Sequence, residues 1–95
     1  MSAILPGSKA EAVYMAIARR SPQTAERFRT QFSATVFDRC GMGELELLNA
    51  FWRDQLASLS VATFTERECL CASNDFAAWL ANFENYVLPT IVCNW

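Results

Sequence analysis

The sequence predicts an all-α chain, a compact four- to five-helix bundle in one domain spanning residues 1–95. Three observations predict it. Apolar side chains recur at helical intervals over residues 44–59 and 76–87. Helix-starting signals punctuate the chain at Ser8, Ser21 and Thr65. Glycine and proline number only 3 each, too few for the tight turns of an all-β fold.

Ninety-five residues can fill one core and no second one. A composition of 53% hydrophobic, 13% aromatic and 19% charged residues belongs to a folded chain and disfavours disorder beyond the first few positions.

The first helix opens on Ser8-Lys9-Ala10-Glu11, a capping box, and is expected to run to about Arg20 with Ala10, Val13, Tyr14 and Ile17 inward. Its alanines (Ala10, Ala12, Ala16, Ala18) allow another helix to approach closely, and Arg19 and Arg20 suit the negative end of the helix dipole. The second helix starts at Ser21-Pro22, with serine as N-cap and proline where its missing N–H costs nothing. Ala25, Phe28, Phe32, Val36 and Cys40 share one face of it, Phe37 points elsewhere, and Gly41 supplies the left-handed end.

The third helix, Glu44 to Leu59, organises the rest. Leu45, Leu48, Trp52, Leu56 and Leu59 form one stripe, and Leu47 with Phe51 forms a second ridge, with Glu44 and Gln55 between them. Two ridges mean that this helix touches two neighbours or leaves one ridge for a partner. Residues 60–64 are β-branched and could be extended, and Thr65 with Glu68 caps a short helix over 66–72. Ser73 or Asn74 is expected to cap the last long helix, whose stripe is Phe76, Trp79, Leu80, Phe83, Tyr86 and Val87. Pro89 is expected to stop it. The apolar tail, Thr90 to Trp95, then tucks against the bundle or pairs with residues 60–65 as a two-stranded ribbon.

The start, MSAILPGSK, lacks the basic and apolar regions of a signal peptide, and no apolar run approaches the roughly 18 residues of a membrane span, so the expected location is cytoplasmic without membrane contact. Net charge is −2 and unevenly placed: residues 1–40 carry +3 and residues 41–95 carry −5. The halves either complement each other within the fold or across a dimer, or one face meets a charged partner.

Catalytic chemistry finds few candidates. The absence of histidine removes Ser-His and Cys-His nucleophile pairs and mixed Cys/His zinc fingers. The glycines at 7, 41 and 43 match no phosphate-cradling pattern. Glu44 and Glu46, like Glu66 and Glu68, are two apart and point to different sides of a helix. Cys40, Cys69, Cys71 and Cys93 could in principle hold zinc or bridge, but they contain no C-x-x-C pair, and reduced core packing is the competing expectation. No cofactor, metal site or catalytic residue is assigned, and the chain is read as a non-enzyme.

What remains is an aromatic surplus: Phe28, Phe32, Phe51, Phe64, Phe76, Phe83, Trp52, Trp79, Trp95, Tyr14 and Tyr86. Exposed aromatics beside arginines anchor protein–protein contacts. Phe37, Leu47, Phe51 and Trp95, with Arg27 and Arg29, are the candidate partner-binding residues, although core packing competes for each apolar one. The expected function is a non-enzymatic protein-binding module, a small regulator or inhibitor whose partner is another protein or its own copy in a homodimer. Phage and mobile-element antagonists of host machinery, anti-CRISPR proteins among them, have this size and composition, an analogy only. The first alternative is a helix-turn-helix-like DNA binder reading bases with Gln23, Thr24 and Arg27, against which stands a pI near 5.0. The second is a cysteine-based zinc or redox protein.

Overall fold

A computed structural model describes residues 4–38, 43–59 and 75–95. The chain is all-α. Its elements are α1 (Lys9–Ala18), α2 (Pro22–Asp38), α3 (Glu44–Ser58), α4 (Phe76–Asn82), a π-helical turn (Phe83–Val87) and α5 (Leu88–Asn94). The last three form one continuous helical rod. The expectations for residues 60–72, for Cys40 and Gly41, and for Ser73 and Asn74 lie outside the described residues, as do the side chains at 36–38.

Local signals place most of the helix starts. The Ser8 hydroxyl accepts the Glu11 N–H at 3.1 Å, as a capping box requires. The Glu11 carboxylate reaches one residue further back than expected, to the N–H of Gly7. The Ser8 N–H is already taken by the Leu5 carbonyl, in a turn that Gly7 makes with φ +79°. Ser21 caps α2 by accepting the Thr24 N–H, and Pro22 follows at the first helical position. The cap of α4 is Asp75, whose carboxylate accepts the Ala78 N–H at 3.1 Å, in place of the Ser73 or Asn74 that the sequence suggests.

Pro89 does not stop the final helix. In an unbroken α-helix its ring would meet the Asn85 carbonyl and its missing N–H would break the ladder. The chain widens one turn instead: the Leu88 N–H donates to the Phe83 carbonyl, five residues back, and Pro89 enters α5 at its first turn, where no N–H is needed. The wide turn also serves the core. Trp79, Phe83, Val87 and Ile91 are all fully buried at four-residue intervals. On a regular α-helix such a row drifts about 40° per step around the axis, and the π turn pulls it back. Tyr86, expected inward, is rotated out and stands 51% exposed. Since residues 88–94 are helical, the tail forms no ribbon with residues 60–65; it tucks against the bundle as helix.

The core is a run of rings crossing three helices. Phe32 stacks on Phe28 (centroids 5.2 Å apart), Phe28 on Trp52 (5.3 Å), and Trp52 meets Phe83 (5.0 Å), which stacks on Trp79 (5.6 Å). Offset stacks and edge contacts at these separations each add about 0.5–1.5 kcal/mol beyond area burial. The aromatic surplus is therefore mostly core. Around it pack Ala10, Val13 and Ile17 of α1, Ala25 of α2, and Leu48 and Leu56 of α3.

Candidate protein-binding face

Each polar position between the two ridges of α3 is matched from another element. Glu44 accepts the Ala10 N–H at 2.9 Å, so a carboxylate from α3 satisfies a free donor at the α1 N-terminus, on the favourable side of its dipole. Gln55 accepts the Trp95 indole N–H, also at 2.9 Å. These two bonds show that α3 uses both ridges within the molecule.

The candidate residues divide accordingly. Leu47 (7% exposed) and Phe51 (2%) are core, which corrects their assignment to a surface patch. The reason is physical: α2 and the C-terminal residue cover the second ridge, with Phe51 meeting Phe28, Phe32 and Trp95 edge-on at 5.5, 5.7 and 6.2 Å. Trp95 is partly buried against Trp52, and the Arg27 guanidinium lies 4.5 Å from its ring, a cation–π contact. Arg29 is exposed and ion-paired with Glu26 at 2.7 Å. The Phe37 side chain lies outside the described residues. The candidate set therefore does not assemble into one surface.

The outer side of α1 presents a different surface. Met15 is 51% exposed at the middle of the helix. Beside it runs an open groove of about 300 Å³ lined by Ile4, Glu11, Tyr14, Met15 and Arg29. Leu5, 63% exposed, lies next to Ile4 at its N-terminal end. The groove wall is fixed by hydrogen bonds. The Tyr14 hydroxyl donates to Glu26 Oε1, and Arg29 Nε donates to Glu26 Oε2 at 2.8 Å. The bond to Glu26 holds the Tyr14 phenol above its ordinary pKa, and the same bond, reinforced by Arg29, holds the Glu26 carboxyl below the usual range. On the opposite flank of α1 a second hollow of about 230 Å³ is lined by Ala16, Arg19, Arg20, Glu84 and Leu88. Apolar and charged groups thus alternate across one convex helix with a depression on each side.

Of the candidates the sequence offers, Arg29 lines this groove, and Met15 is not among them. The signal is present: Met15 stands midway between Glu11 and Arg19 at four-residue spacing, an apolar side chain on the polar side of α1.

The residues of the two alternative readings are partly engaged. Near the start of α2, the Thr24 hydroxyl bonds the Ser21 hydroxyl at 2.8 Å and Arg27 covers Trp95. Cys93 is exposed with a free thiol, and the other three cysteines lie outside the described residues. Among the described residues no three metal-ligating side chains gather, no polar side chain is buried, and no helix is long and apolar enough to cross a membrane. No protein-family model matches the chain, and neither the curated proteins nor the solved structures include a significant match to it.

Proposed function

We propose that the chain is a non-enzymatic protein-binding module, a small regulator or inhibitor, and that its binding surface is the outer face of α1. The observation that carries this reading is Met15, half exposed on a groove lined also by apolar Ile4 and Tyr14 and by the charged Glu11 and Arg29. Single exposed apolar side chains are ordinary on any protein. Here the apolar residue adjoins a concave, partly apolar hollow rimmed by opposite charges, the anatomy of an interface centre with a polar rim. Met adapts to irregular surfaces, and covering the exposed half of Met15 contributes roughly 1 kcal/mol.

DNA binding is the weaker reading because Arg27 and Arg29 are held by Trp95 and Glu26 on the protein itself.

The test compares wild type with Met15→Glu as bait in affinity capture from cells in which the chain is native. A partner retained by wild type and lost by M15E, with an unchanged melting temperature, supports the reading. Equal capture by both moves the binding surface elsewhere.

A further inference from the structure

The outer face of α1 is complementary to itself. Glu11, Met15 and Arg19 follow at four-residue intervals on its solvent side, and Ala12 and Ala18 flank them, both only partly covered. Arg19 makes no ion pair among the described residues, and the recorded contact of Glu11 uses one carboxylate oxygen, on Gly7. Consider a second α1 laid antiparallel with Met15 on the two-fold axis. Each residue then lies level with the one equally far from Met15 on the other side, and those on the central row meet. Glu11 meets Arg19 of the second copy and Arg19 meets its Glu11, while Ala12 and Ala18 lie on opposite flanks of the seam. Both charge pairs are attractive, the two Met15 side chains cover each other, and the small residues permit close approach of the backbones. Reversing one helix to run parallel would set Glu11 against Glu11 and Arg19 against Arg19. Antiparallel pairing is the arrangement that the charges select.

We infer that this face is an isologous interface at which a second copy of the chain docks, α1 against α1, with Met15 at the centre. The inference rests on the binding surface assigned under Proposed function and names its occupant. A ten-residue helix is about 15 Å long, so the contact falls well below the ~800 Å² per partner of a standard stable interface. The dimer is therefore weak and concentration-dependent, and salt weakens it further because its charge pairs sit at the rim. Glu26 and Arg29 of α2, Arg20 of the turn between α1 and α2, and Glu84 of the π turn border the face and set the local field.

Sedimentation velocity over a wide concentration range, extending to the millimolar region, tests this. Wild type dimerises reversibly. Glu11→Arg and Arg19→Glu each place like charges across the axis and weaken association about tenfold. An equimolar mixture of E11R and R19E recovers it, because every pair across the mixed interface is again attractive. M15E abolishes association. Since Glu11 also contacts Gly7, E11R is read only alongside its melting curve, while R19E and M15E change side chains without recorded side-chain contacts. A wild type that stays monomeric throughout, or a dimer that persists in M15E, overturns the inference. A monomeric wild type whose foreign partner is still lost in M15E overturns only the self-docking and leaves the binding face in place.

Discussion

The Trp95 indole donates its N–H to Gln55 Oε1 at 2.9 Å while the Arg27 guanidinium lies 4.5 Å from the same ring. One residue thus ties the final helical rod to α3 and α2 together. Trp95→Ala is expected to cost about 2–3 kcal/mol, less than a fully buried tryptophan because the ring is partly covered. Gln55→Ala should cost about 1 kcal/mol, the worth of one hydrogen bond. Urea denaturation followed by circular dichroism measures both.

Glu44 supplies the acceptor that the N-terminus of α1 lacks at Ala10. Glu44→Ala is expected to destabilise by about 1–2 kcal/mol, since a bond to a charged acceptor is lost and a backbone donor is left bare. Hydrogen exchange should show the Ala10 amide losing protection in E44A. An unchanged Ala10 amide would contradict this link between α1 and α3.

Trp52 and Trp79 are both fully buried, yet their indole donors differ. Trp79 donates to Asn49 Oδ1 at 3.3 Å, whereas the Trp52 N–H has no acceptor among the described residues. Phenylalanine at either site removes similar volume, but only at 79 does it break a hydrogen bond. Trp52→Phe is therefore expected to cost about 1 kcal/mol less than Trp79→Phe, in paired denaturation curves.

The Tyr14–Glu26 bond works in opposite directions at the two ends of the pH scale. The Glu26 pKa is lowered, so its contribution is complete above the usual carboxylate range and is lost as pH falls through the folded value. The Tyr14 pKa is raised, so its contribution is complete below the ordinary phenol pKa and is lost as pH rises through the folded value. The bond contributes fully between these limits. In a Tyr86→Phe background, where Tyr14 is the sole remaining tyrosine, ultraviolet titration should place Tyr14 above an ordinary tyrosine, and Glu26→Gln should bring it down.

Much of the fold is legible in the sequence because it is written in short-range chemistry. The Ser8 and Ser21 caps and the stripe of Leu48, Trp52 and Leu56 depend on residues three or four apart, and all stand as expected. Pro89 misleads because its local rule is overridden: burying Val87, Leu88 and Ile91 together favours a widened turn over a stop. The second ridge on α3 misleads differently. Periodicity shows that Leu47 and Phe51 face somewhere, and only the packing of Phe28, Phe32 and Trp95 shows that they face inward. The candidate site is least legible, since a half-exposed methionine on a polar face draws attention only once the groove beside it is seen.

A photo-crosslinker on α1 tests whether the chain binds protein at Met15. A benzophenone amino acid is placed at position 15 or, as a control, at exposed position 57 on α3, in cells in which the chain is native. Binding at Met15 predicts a discrete adduct from position 15, containing a second copy or another protein, and none from position 57. No adduct from position 15, or the same adduct from position 57, would contradict it.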